Sequence, residues 1–130
     1  MKNFDEWNTK KKIVNFTEHA FRIFFREREV WWCHLGVNVG FEQDEKGEDF
    51  RRPILILKKF SENSIWGVPL STTTKRGAYY MPIGHVNGED AVALISQIRF
   101  IDTRRLVHKT GVVDKEIFSI IRKTIRELIP

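Results

Sequence analysis

Five residues in the middle of the chain, Pro53-Ile54-Leu55-Ile56-Leu57, leave little freedom in what can be built around them. Consecutive side chains of a strand point to opposite faces, so four apolar residues in a row must be covered on both sides and belong inside a sheet. Pro53 cannot donate to a ladder and is expected only as the first residue of that strand. Upstream, Glu29–Leu35 supplies a partner strand, with Val30, Trp31 and Trp32 as its β-branched and aromatic residues and Cys33 and His34 behind them. Between the two strands lie Gly36, Gly40 and Gly47 with Asn38, Asp44 and Asp49, where the backbone can turn sharply. A loop of that length between neighbouring strands of a small domain is the mark of a lid or a binding loop.

Downstream, Lys58–Ser64 reads as a polar connection, followed by a strand from Ile65 to Leu70 and then the hydroxyl-rich, basic stretch Ser71-Thr72-Thr73-Thr74-Lys75-Arg76-Gly77. Alternation returns at Tyr79, Met81 and Ile83, and Asn87-Gly88 is a hairpin signal before a strand over Ala91–Ile95. Ile98–Ile101 forms a further short strand or turn, with Arg99, Arg104 and Arg105 close by. Asp114 caps a C-terminal helix whose Ile117, Ile120, Ile121, Ile125 and Leu128 form an apolar stripe. Before the first strand, Phe4, Trp7, Lys11 and Val14 fall at helical spacing, which predicts an amphipathic helix over 5–16. Thr17–Phe25 carries two patterns, a capped short helix from Thr17 and a strand-like alternation of Phe21, Ile23 and Phe25. Short strands in meander order predict a mainly β single domain over 1–130, a partly open antiparallel barrel with N-terminal and C-terminal helices.

Hydrophobic residues make up 42% of the 130, enough for a folded domain with a modest core. The single cysteine, Cys33, excludes an internal disulfide and a cysteine-based metal cage, which points to an intracellular, cytoplasmic compartment. No apolar run approaches a membrane span in length. The net charge of +5 conceals an asymmetry, because residues 42–49 hold one basic and five acidic side chains and form an acidic island in an otherwise basic chain. Basic segments flanking such a loop suit a polyanionic partner, and nucleic acid fits better than a membrane, since no basic amphipathic stretch has a strong apolar face.

The chain lacks HExxH, CxxC, GxSxG and GxxxxGK[ST], and its four histidines stand apart, so zinc hydrolysis, a serine triad and a phosphate loop have no support. Cleavage of RNA asks for less. The substrate brings its own 2′-hydroxyl, and the protein has only to orient it, move protons and stabilise charge on phosphorus.

VWW, then GFEQ, then an Arg-Pro opening an apolar strand, followed by VPLST, SQIR with Ile101-Asp102, and Arg104-Arg105-Leu106 before a last helix, resembles the MazF/PemK (Kid) family of toxin ribonucleases. The likeness runs in order from about Arg28 to the C-terminus and leaves residues 1–27 as an extension. It implies an SH3-like β-barrel and a metal-independent, sequence-selective endoribonuclease without cofactor, acting as a homodimer on single-stranded RNA and neutralised by a cognate antitoxin. By this resemblance Arg52 is the arginine of the Arg-Pro pair, whose planar fork suits a phosphate. The family's catalytic hydroxyl, usually threonine, aligns with Ser71, and Thr72 follows directly, so the role falls to one of these two. Glu42 and Gln43 match the acidic-Gln pair of the loop, Glu42 to accept a proton or bind a base edge and Gln43 to contact RNA. Arg51, Lys75, Arg76, Gln97 and Arg99 complete the expected RNA contacts. PemK relatives with an Arg and an Asp ahead of the Gln-Ile-Arg motif find no match, since Leu94 and Ser96 stand there. Two other readings share the fold: a CcdB-like toxin that poisons DNA gyrase, and a barrel that binds RNA without cutting it.

Overall fold

The computed structural model describes residues 23–35, 51–72 and 77–130. Seven antiparallel strands are present there: β1 (Glu29–His34), β2 (Arg51–Ser61), β3 (Ser64–Ser71), β4 (Tyr80–Val86), β5 (Glu89–Leu94), β6 (Arg99–Asp102) and β7 (Leu106–Val112). A helix, α1 (Lys115–Leu128), follows them. The sheet order is β4-β5-β3-β2-β1-β7, with β6 also paired to β3. The sheet curls until its two edges approach, where a side chain at Gly111 of β7 would meet Val86 of β4 at 3.6 Å. This is the expected mainly β, partly open barrel with a helix at its C-terminal end. No helix among the described residues is long and apolar enough to cross a membrane.

The two-sided apolar run does what its pattern demands. Leu55 and Leu57 enter one cluster with Val30, Val68 and Leu70, closed over by Phe118, Ile121 and Ile125 of α1. Ile54 and Ile56 enter a second cluster on the other face with Trp31, Cys33, Ile65 and Ile101, closed by Phe25 and Leu106. Ile54, Leu55 and Ile56 are fully buried, each contributing about 1.5–3 kcal/mol of hydrophobic stabilisation.

Several expectations change. Pro53 is the third residue of β2 rather than the first, opposite Trp32 of β1. It is tolerated because the β2–β3 pairing begins only at Ile54↔Pro69, so no donor is missing on that side. Lys58–Ser64 is not a loop, since β2 runs to Ser61 and turns through Glu62-Asn63 straight into β3. Asn87 and Gly88 both take positive φ, 54° and 82°, as the tight β4–β5 hairpin requires. β7, which pairs with β1, was not foreseen. On α1, Ile121 is fully buried while Ile120 and Leu128 are 53% and 39% exposed, so the buried face passes through Phe118. Ile23–Phe25 lie outside any helix. The helix expected over 5–16 and residues 17–22 fall outside the described residues.

The β1–β7 edge is fastened at its start. Arg28 takes a left-handed conformation (φ 80°), and its Nε donates to the Val113 carbonyl at 3.0 Å. The adjoining Glu29 carboxylate accepts from the Arg26 amide (2.9 Å) and Trp31 Nε1 (3.0 Å), and pairs with Lys109 of β7 (3.2 Å).

Candidate active site

Arg52 and Ser71 are 19 positions apart in sequence, yet the register of the sheet brings them level. Ile54 of β2 faces Pro69 of β3, and two residues further along each strand stand Arg52 and Ser71. Side chains two apart share a face, so both belong to the face of Ile54 and Ile56. The ladder does not continue between them. Pro53 and Pro69 remove two donors at this level, while on the opposite edge of β3 Leu70 and Ser71 pair with Ala93 and Val92 of β5. The β2–β3 register ends at Ile54↔Pro69, and Arg52 (4% exposed) and Ser71 (9% exposed) stand two residues past it, one on each strand.

Basic groups gather on the same side. Arg99 opens β6 directly opposite Gly67 of β3, and residues facing each other across an antiparallel pair project from the same face. Gly67 is held to glycine by this crowding, since a Cβ there would lie 2.6 Å from Ile101 Cδ1 and 3.2 Å from Ile54 Cδ1. Arg105 comes from the other flank, its Nη1 donating to the His34 carbonyl at 3.2 Å. Cys33, the cross-strand partner of Arg52, feels both. Burial pushes its thiol up to about 12, while Arg105 and Arg99 pull it down. Both guanidinium groups are thus within electrostatic reach of the Arg52 strand pair, and Cys33 stays a neutral thiol at physiological pH, unsuited to nucleophilic work.

The sequence candidates separate accordingly. Arg52, Ser71 and Arg99 share a face; Thr72 follows Ser71 and is exposed; Gln97 is half-buried at the end of a 3-10 turn over Ile95–Gln97 that leads into Arg99. Arg51 is half-buried opposite His34 and projects from the other side of β2. Glu42, Gln43, Lys75 and Arg76 lie outside the described residues. Arg105 is the residue that sequence reasoning left unassigned, because nothing in the pair Arg104-Arg105 distinguishes its members. Arg104 is committed to Asp102, with Nη2 to Oδ2 at 2.6 Å and its backbone amide to Oδ1 at 2.9 Å, which holds the turn before β7. The Arg104 guanidinium keeps the Asp102 carboxyl below the usual carboxylate range, against the opposing effect of burial. A guanidinium and a hydroxyl level on one face, with two further guanidinium groups in electrostatic reach, are the kind of donors that grip a phosphodiester and stabilise charge rising on it.

The family description "PemK-like, MazF-like toxin of type II toxin-antitoxin system" matches residues 26–129. No curated protein sequence matches the chain. Among solved structures, a MazF crystal structure from Deinococcus radiodurans superposes with a TM-score of 0.68 at 19% identity, covering 82% of this chain and 97% of that one. An endoribonuclease in complex with its cognate antitoxin from a mycobacterial species gives a TM-score of 0.62 at 18% identity, covering 82% and 98%. A MazE–MazF structure from Deinococcus radiodurans gives 0.63 at 16% identity, covering 82% and 96%. At these identities the likeness shows the fold.

Proposed function

Because the chain belongs to the PemK-like, MazF-like toxin family of type II toxin–antitoxin systems, we propose that it is a metal-independent endoribonuclease that cuts single-stranded RNA. The observation that carries this reading is the level placement of Arg52 and Ser71 on one face, just past the end of the β2–β3 register. RNA supplies the nucleophile. Its 2′-oxygen attacks the adjacent phosphorus, a 2′-O–P bond forms and the P–O5′ bond breaks, leaving a 2′,3′-cyclic phosphate and a 5′-hydroxyl. The 2′-proton goes to a base and the departing 5′-oxygen takes up a proton, so nothing else is consumed. Arg52 donates to the phosphoryl oxygens as their charge rises, and Ser71 or Thr72 donates a further hydrogen bond. Arg99 and Arg105 hold the neighbouring phosphates, with Gln97 beside them. Glu42, from the acidic loop, is the candidate proton acceptor, and Gln43, Arg51, Lys75 and Arg76 are candidate RNA contacts.

The partner is a cognate antitoxin, a reading supported by the complexes among the similar structures. We place the working unit in the cytoplasm as a homodimer, whose shared groove draws on the basic surplus outside residues 42–49. The deciding experiment incubates the purified protein with a long RNA in EDTA, alongside a gyrase supercoiling assay. Cleavage in EDTA with 5′-hydroxyl ends is expected, with supercoiling untouched. Gyrase inhibition without cleavage would establish the CcdB-like activity instead, and retention of intact RNA would leave a binding barrel.

A further inference from the structure

On the face of the sheet opposite Ile65 and Ile101, three aromatic side chains meet on three adjacent strands. Trp66 of β3 stands directly across from Lys58 of β2 on one side and Phe100 of β6 on the other. Phe60 of β2 touches Trp66 edge to face, with centroids 5.0 Å apart at 88°, whereas Phe100 lies 6.4 Å from Phe60 and within 33° of parallel to it. None of the three enters the cluster that α1 closes, and Phe60, Trp66 and Phe100 remain 48%, 44% and 66% exposed. A contiguous exposed apolar patch marks a contact surface.

Size and charge narrow what it contacts. Three half-exposed rings offer on the order of 300 Å², well under the ~800 Å² per partner of a stable protein interface, so this face alone holds neither a second copy nor a folded protein. The same area suits small flat ligands, because aromatic rings side by side on a sheet face each take one unpaired base. Lys58 is exposed on this face, and Asp102 there is matched by Arg104 at 2.6 Å. Beside Phe60 an open groove of about 640 Å³ sets Arg26 and Lys59 against Glu27 and Glu62, with Lys59 Nζ 3.4 Å from Glu62 Oε1. The positive surplus is thus that of Lys58 alone. A strand bound here is held by its bases, with little help from its phosphates.

We propose that Phe60, Trp66 and Phe100 form a stacking platform for unpaired bases of the RNA substrate, away from the scissile phosphate. The identity of that strand rests on the ribonuclease reading. Trp66 and Ser71 are five residues apart on β3, about 17 Å, and even and odd positions of a strand point to opposite faces. A short RNA that fills the Arg52–Ser71 site therefore stops before the platform, and only a longer strand occupies both. The platform sets how tightly long RNA is held and leaves the chemical step unchanged.

The test reads binding apart from cleavage. A long mixed-sequence 2′-O-methyl RNA has no free 2′-hydroxyl to attack phosphorus, so it binds without being cut. Its affinity for the full chain, by fluorescence anisotropy, should fall roughly tenfold in Phe60→Ser and in Phe100→Ser, as loss of one stacked base predicts, and be kept in Phe100→Tyr, which retains the ring. Unchanged affinity in both serine variants overturns the proposal. So does a halved mass of either variant by light scattering, which makes the face an interface between copies. On the parent chain, the same RNA carrying a photoreactive thiouridine should cross-link to the peptides that hold Phe60, Trp66 or Phe100, and no link there overturns the proposal whatever the variants do. Cleavage in EDTA separates these outcomes from a failure of the ribonuclease reading. With an active parent, the serine variants should raise KM for long RNA to the same extent at unchanged kcat and cut short RNA as the parent does; an unchanged KM overturns the platform alone. An inactive parent overturns the ribonuclease and leaves the platform to stand or fall on the binding result.

Discussion

Arg52 is a buried guanidinium, 4% exposed, level with Ser71, and in the ribonuclease proposed above it is the donor to phosphate. Arg52→Ala should keep the far-ultraviolet spectrum of the barrel and lose most RNA cleavage, about 3 kcal/mol of barrier for one removed charge stabiliser. Arg51→Ala, on the other side of β2, should lower cleavage only mildly in the same gel assay. Normal cutting by a folded Arg52→Ala protein would end the assignment. The hydroxyl is decided by ranking. Ser71 is buried on the face of Ile54 and Thr72 is exposed, so Ser71→Ala should be nearly inactive, Thr72→Ala active, and Ser71→Thr active. The opposite order moves the role to Thr72. Arg52 and Ser71 entered as candidates through the family resemblance, which carries an arginine and a hydroxyl at these motif positions, and the sheet register brings the two level. Arg105 was not legible, because its difference from Arg104 lies in which carbonyl or carboxylate comes near, a fact of tertiary structure.

The paired strands β1 and β2 could be read from their composition, whereas β7 could not. Its sequence Leu106–Val112 has no clean alternation because it is an edge strand with only Leu106 buried, so little selects for a two-residue period. The clamp that holds it is equally invisible in sequence. Burial alone raises the Glu29 carboxyl pKa, but the Trp31, Arg26 and Lys109 interactions outweigh it and hold the group below its ordinary value. A carboxylate with a depressed folded pKa stabilises the fold above its unfolded pKa, near 4.5, and that stability drains away as pH falls through the folded value. Glu29→Gln should therefore be less stable than the parent at neutral pH and lose less on acidification, which urea titrations at pH 7 and pH 3 will read. Helix α1 was found by its period and its cap, Asp114, which accepts from the Glu116 amide at 2.8 Å. Its facing was only partly found, since the stripe gave Ile120 and Ile121 equal standing. Ile121→Ala should cost about 2–5 kcal/mol in chemical denaturation, and Ile120→Ala under about 0.5 kcal/mol.

For the molecule as a whole, light scattering at micromolar concentration should give twice the 15.4 kDa chain mass, and a monomer there would count against the shared RNA groove. The barrel class was legible because strand spacing and apolar pattern agree throughout. The exchange of partners along one edge of β3 was not, because a strand that changes partners midway looks in sequence like any other strand. β3 pairs β6 through Ser64–Gly67 and β5 through Leu70 and Ser71 along one edge, while β2 takes the other edge as far as Pro69. Among the described residues, backbone pairing between the β4–β5 hairpin and the rest of the sheet runs through Leu70↔Ala93 and Ser71↔Val92. The hairpin is seated by its side chains instead, Ile83, Ala91 and Ala93 entering the cluster that α1 closes, so the helix that caps the barrel also sets where the Ser71 end of β3 lies.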